Sequence, residues 1–233
     1  MIDRSTFIGV TAAALAAGNP TAAEAQTVAD VPGTDPLLPK DVYASSRNRA
    51  PLITRDMIAS DENKKAYDGI MNGSTIAGMQ GPAGISLYSS KINRIASQLN
   101  VALRLQNGLD PRLSELAMMV ASREADSAFE WNAHESAGRK LGIDQNLIDV
   151  VRFRKPTTGL GEKEAAIINL GRETYGKHKV SPQTFATAQR LFGTETLVNV
   201  CLLMGNYVMT AGLLHAFDLQ LPPGVVSSLP ASN

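Results

Sequence analysis

Apolar residues in this chain recur at three and four residues through one stretch after another, and a cap residue, a proline or a glycine brackets most of these stretches. That period belongs to the α-helix, and sustained alternation with β-branched enrichment, the mark of a half-buried strand, is missing. Ser60 opens the first stretch, which runs to about Met71 with Tyr67 and Ile70 on one face. Between Ser90 and Gln106, Ile92, Ile95, Leu99, Ala102 and Leu103 form a second apolar face. Asp110-Pro111 then supplies a cap and a first-turn proline for a helix to about Ala125 that buries Leu113, Leu116, Ala117 and Val120. Further helices are expected from Ser127 to Leu141, from Asp144 to Val151, from Gly161 to about Tyr175, and from Ser181-Pro182 to Gly193. Thr194 caps a last one to about Phe217, apolar on all sides and therefore central or set against another subunit. The fold class that follows is all-α.

Composition narrows the function. Basic and acidic residues number 22 each, a balance that argues against a nucleic-acid binder. Cys201 is the sole cysteine, so an intrachain disulfide and zinc sites built on several thiolates are excluded. Its apolar setting, Leu197 to Met204, predicts a buried, inert thiol. The glycine-rich loop Gly73 to Gly84 lacks the Lys-Ser/Thr ending of a phosphate loop.

Residues 1–25 have the layout of a secretory leader: Arg4, the apolar stretch Phe7 to Ala17, a Gly18-Asn19-Pro20 break, and Ala23-Glu24-Ala25 before Gln26. The stretch is shorter than the about 20 apolar residues of a transmembrane helix. The expectation is an exported, periplasmic protein free of the membrane after cleavage, and no later segment reads as a membrane span. Residues 26–55, with prolines 32, 36, 39 and 51, read as an extended arm suited to wrapping a partner subunit. The helical domain is expected over 56–225, with a tail over 226–233.

Chemistry concentrates between Glu115 and His134. Ser127, Glu130 and His134 are spaced three and four apart and so share a helix face. Glu115 lies on the preceding helix among leucines, where a carboxylate is costly unless paired. An antiparallel pairing would bring it opposite His134, giving two carboxylates and an imidazole for proton transfer. A neighbouring carboxylate would raise the basicity of His134 and burial would lower it. Spacing alone equally allows a Glu–His pair on a solvated helix face. His178 belongs to a polar turn, and His215 reads as a core histidine of the last helix.

The run Leu113 to Glu135 resembles the signature of the carboxymuconolactone decarboxylase family, in which Glu-Leu, an apolar stretch and Arg-Glu (here Glu115-Leu116 and Arg123-Glu124) precede Glu-Trp-x-x-His (here Glu130-Trp131 and His134). Gly81-Pro82, Leu160 to Glu164, and Ala216-Phe217 to Leu221-Pro222-Pro223 look like further landmarks, so the resemblance covers roughly residues 45–225. It implies a compact multi-helix bundle of the alkylhydroperoxidase D-like type that assembles as a homo-oligomer, such as a trimer or hexamer. The peroxidase branch of the family carries Cys-x-x-Cys-x-x-x-His after a Glu twelve residues upstream; by position Glu115 and His134 match, while Ser127 and Glu130 stand where the cysteines would be. Serine is no redox nucleophile and glutamate closes no disulfide, so thiol peroxidase activity is disfavoured.

What the resemblance implies instead is a decarboxylase-like enzyme on a small cyclic acid or lactone, needing no metal and no organic cofactor. His134 would be the general acid/base, Glu115 its orienting partner, and Glu130 a second acid/base or substrate contact. Arg123, Ser127, Trp131 and Tyr207 are candidate substrate contacts, although an internal ion pair is the commoner use of an arginine such as Arg123. Two other readings stay open: a non-catalytic, oligomeric small-molecule binder on the same shell, and a metal site from Glu115, Glu130 and His134.

Overall fold

The structure is a computed structural model, and it describes residues 30–72 and 78–230. Among them are eight α-helices and no strand: α1 (Asp61–Met71), α2 (Pro82–Ser86), α3 (Ser90–Leu105), α4 (Pro111–Glu124), α5 (Ala128–Lys140), α6 (Gln145–Arg152), α7 (Glu162–Gly171), continued by a π-helical turn Arg172–Gly176, and α8 (Pro182–Ala216). The leader-like segment and residues 73–77, the start of the glycine-rich loop, lie outside the described residues.

Most helix starts are set by local chemistry. The Ser60, Asp110, Asp144 and Ser181 side chains accept from the backbone N–H of Asn63, Leu113, Leu147 and Thr184, satisfying donors that a first turn leaves unpaired. Gly193 adopts φ 75°, open to glycine at no steric cost, and kinks α8 where sequence placed a boundary.

α4 is the centre. It packs against α5, α7 and α8, and every residue from Leu113 to Arg123 is buried. Its polar groups must therefore be matched inside the protein. Ser122 Oγ donates to the Met118 carbonyl at 2.7 Å, and Ser114 exchanges hydrogen bonds with Asn107 at 3.0 and 3.2 Å. Arg123 Nε donates to the Arg152 carbonyl at 2.8 Å while its Nη1 pairs with Asp126, tying α4 to α6.

α8 is long and apolar enough to cross a membrane by length and composition, contrary to the expectation that no later segment would be. Here it is kinked at Gly193 and lays Leu197, Val200, Leu203, Met204 and Ala211 into the core beside α4 and α7. Its outward side exposes Val198, Leu202 and Met209. Cys201 is on that side too, so the expected buried thiol is exposed, and partial desolvation by its apolar neighbours raises its pKa. His215 is likewise exposed, at the final turn of α8, rather than in the core.

The apolar face of α3 departs from expectation more sharply. The helix forms where predicted, yet Ile92, Ile95 and Leu99 are 62%, 55% and 43% exposed. Its inward edge carries Asn93 and Leu103 instead.

The end of the arm is bonded to its own chain. Arg49 N donates to the Phe217 carbonyl at 2.8 Å, Gln220 N to the Arg47 carbonyl at 2.9 Å, and Arg47 Nε to the Leu221 carbonyl at 2.9 Å. The C-terminal tail is held by Ser228, which bonds Trp131 Nε1 and Glu135 at 2.8 and 2.5 Å.

The close approach of α7 to α4 tests this packing. A Cβ on Gly171 of α7 would stand 2.4 Å from Val120 Cγ1 of α4, with Met204 of α8 behind it. Gly171→Ala is expected to lower unfolding free energy by about 1–3 kcal/mol, the usual cost of overpacking. Chemical denaturation reads this directly, and an unchanged midpoint would mean that α4 and α7 are not this close.

Candidate active site

The antiparallel pairing of α4 and α5 does bring Glu115 to His134. Glu115 Oε2 lies 2.7 Å from His134 Nδ1, and Glu130 Oε2 lies 3.5 Å from His134 Nε2 one turn before it on the same helix. Glu115, Glu130 and His134 are 6%, 5% and 3% exposed, which removes the solvated-face alternative. The two contacts differ in kind. The Nδ1 contact is a short charge-assisted hydrogen bond that fixes the ring, while the Nε2 contact is loose and leaves that nitrogen the freer one.

Two further helices complete the cluster. Tyr207 of α8 meets the imidazole edge-on, with centroids 4.6 Å apart and planes at 85°. Burial pushes the Tyr207 phenol far above its ordinary pKa, so it stays a neutral hydrogen-bonding group. The Asn100 side chain of α3 lies close to its hydroxyl and works against the upward shift. Arg104, one turn after Asn100, brings its Nη2 to 3.7 Å from Glu115 Oε1. Neither Asn100 nor Arg104 was singled out from sequence. The signal available was a spacing of seven from Asn93 and Asn100 on α3 to Asn107 just past its end, an unusual pattern for a face turned to a core.

The remaining sequence candidates go elsewhere. Trp131 is fully buried and donates its indole N–H to Glu135 at 2.7 Å and to Ser228, so it anchors the tail rather than the cluster. Arg123 is engaged by Arg152 and Asp126 at the α4–α6 junction, the internal pairing already weighed for it. Ser127 is buried at the cap position of α5, where its carbonyl accepts from Trp131 N. A groove of about 400 Å³ between α7 and the start of α8 is lined by Glu162, Asn169, Glu173 and Thr184. Its carboxylates already serve Arg190 and the Ser181 N–H. Among the described residues no three His, Cys, Asp or Glu side chains are arranged to hold a metal ion.

Comparison with known proteins bears on the fold. No family model and no curated protein matches the chain. A solved structure does: a protein of unknown function from Agrobacterium tumefaciens, described as a candidate antioxidant defence protein AhpD. The two share 19% identity at a TM-score of 0.54, over 59% of this chain and 94% of that one. The fold is AhpD-like.

The electrostatics of His134 follow from this geometry. Burial works against a charged imidazole, but hydrogen bonds and charge from Glu115 and Glu130 outweigh it, and its pKa is pushed up to about 9. The ring is thus an imidazolium at neutral pH. A raised pKa contributes stability that is fully present below the unfolded value of 6.5 and is lost as pH rises through about 9. The denaturation midpoint is therefore expected to fall between pH 6.5 and 9.5. NMR titration of the ring protons, assigned against His134→Gln, should place the midpoint near 9. A midpoint at or below the ordinary histidine value would refute the assignment.

Proposed function

We propose that the protein is a cofactor-free, decarboxylase-like enzyme that acts on a small cyclic carboxylic acid or lactone by general acid/base chemistry. The observation that carries this is a buried imidazolium whose Nδ1 is locked to one carboxylate and whose Nε2 faces a second at a looser distance. Paired titratable groups with strongly perturbed protonation cluster at functional sites.

The chemistry asks little beyond these groups. In a lactone whose carboxylate is vinylogously conjugated to the ring carbonyl, breaking the bond to that carboxylate releases carbon dioxide. The electron pair passes into the carbonyl and leaves a dienolate. His134 Nε2 then delivers a proton to carbon, and Glu130 returns a proton to the ring from solvent. Glu115 keeps the ring oriented through both states. The ring carbonyl is itself the electron sink. Low dielectric around the cluster strengthens each of these interactions.

The near-complete burial of the cluster also favours a second reading, a small-molecule binder without turnover on the same fold. The leader-like layout of residues 1–25 supports a site of action outside the cytoplasm. Self-association is part of the proposal. Ile92, Ile95 and Leu99 on α3, with Val198, Leu202 and Met209 on α8, form apolar stripes suited to burial against a second copy of the chain.

Mass spectrometry of carboxylated butenolides incubated with the protein tests the chemistry. Loss of carbon dioxide is expected, with turnover reduced roughly 10²–10⁴-fold in a folded His134→Ala. Binding of a butenolide acid without turnover would establish the second reading instead. Light scattering tests assembly: Ile95→Glu combined with Leu202→Glu should turn a multiple of the chain mass into a monomer, and a monomeric wild type would overturn it.

A further inference from the structure

Arg104 differs from the other arginines around the core. Arg112, Arg139, Arg152 and Arg172 each place a guanidinium nitrogen 2.6–2.8 Å from an acceptor. Arg104 comes no nearer than 3.7 Å to its partner Glu115, beyond hydrogen-bond range. That partner already gives its other oxygen to His134 at 2.7 Å.

The position of Arg104 is as telling as its freedom. Its side chain is 40% exposed, whereas those of Glu115, Glu130 and His134 are 7%, 6% and 4% exposed. It therefore stands on the solvent side of a buried acid/base cluster, as the cation a ligand approaching past α3 would meet. Asn100, one turn earlier, lies close to Tyr207, which packs on the His134 ring. The charge of Arg104 is also felt at the Tyr207 hydroxyl. At about 100° per residue, Arg104 and the exposed Ile92, Ile95 and Leu99 fall on opposite flanks of α3's inward edge.

A planar guanidinium with undonated N–H groups matches a carboxylate in a two-point contact. Glu115 and Glu130 would repel an anion placed anywhere nearer to them than to Arg104. We infer that Arg104 is the residue that holds the carboxylate of the site's substrate, setting specificity for small carboxylic acids over their neutral esters. This rests on the acid/base reading of the same cluster. It gives a bound substrate an orientation: the anionic group sits against α3, and the rest of the molecule extends toward His134 Nε2 and Tyr207.

The test compares a butenolide whose ring carboxylate is vinylogously conjugated to the lactone carbonyl with its methyl ester, titrated into the full-length protein by calorimetry, using wild type, Arg104→Ala and Arg104→Lys. Wild type is expected to bind the acid well above the ester. Arg104→Ala should lose roughly 10- to 100-fold in affinity for the acid, as for a lost hydrogen bond to a charged group, with the ester unaffected. Arg104→Lys should recover part of the loss. Equal losses for acid and ester would mean that Arg104 only shapes the cluster. Undiminished acid binding by Arg104→Ala, or a wild type that ignores the acid, would overturn the assignment. Acid bound through Arg104 but never turned over would sink the enzymatic reading and keep this one; turnover indifferent to Arg104→Ala would do the reverse.

Discussion

Enclosure of α4 is the constraint on which the rest depends. A helix surrounded by α5, α7 and α8 has no solvated side on which to leave a polar group. Three of its polar residues consequently fix a neighbour: Ser114 the end of α3 through Asn107, Arg123 the end of α6 through the Arg152 carbonyl, and Glu115 the ring of His134 on α5. The site is one of these compulsory pairings. Its geometry is precise because the alternative, an unpaired carboxylate beside Leu116 and Leu113, costs several kcal/mol.

Stability alone does not explain why the pairing should be ionic. Desolvating two carboxylates and an imidazolium offsets most of their mutual attraction, and well-packed apolar residues of similar volume commonly hold a core as firmly. Yet the cluster draws on four helices: Glu115 from α4, Glu130 and His134 from α5, Tyr207 from α8, and Asn100 with Arg104 from α3. A titratable group supported from that many directions keeps its orientation when its charge changes, which proton transfer requires. The contrast with Glu135 is instructive. That carboxylate takes hydrogen bonds from Arg139, Arg152, Trp131 and Ser228, which hold it below the usual carboxylate range despite burial, and it works as an anchor for the tail.

Much of this was legible in sequence, and the part that was not has a common cause. Helix starts could be read because Ser60, Asp110, Asp144 and Ser181 act on backbone donors three residues away. The Glu115–His134 contact could be anticipated because two consecutive helices joined by a short turn run antiparallel. Which way a face looks is a different matter. Period shows that α3 has an apolar stripe, not what covers it, and Ile92, Ile95 and Leu99 turned out to face outward. On α8 nearly every position is apolar, so Cys201 and His215 could not be assigned a side before the packing on α4 was known. Trp131, one residue from Glu130, points to the far side of α5, as neighbouring positions on a helix do. Asn100 and Arg104 acquire their role only from Tyr207, a residue more than a hundred positions later in the chain.

α3 is where these threads meet. One edge carries Asn93 and Asn100 inward, with Arg104 flanking them, and the other presents Ile92, Ile95 and Leu99 to the outside. Most amphipathic helices place their apolar edge on the core and their polar edge in water. Reversal makes sense only if the polar edge has partners inside and the apolar edge is covered by something other than this chain's own core. Tyr207 and Glu115 supply the first condition. The proposed association with a second copy would supply the second, and it would press α3 down onto the cluster from outside. The position of Arg104 relative to Glu115 would then depend on that contact, so that assembly and the placing of a substrate carboxylate become two consequences of how one helix is seated.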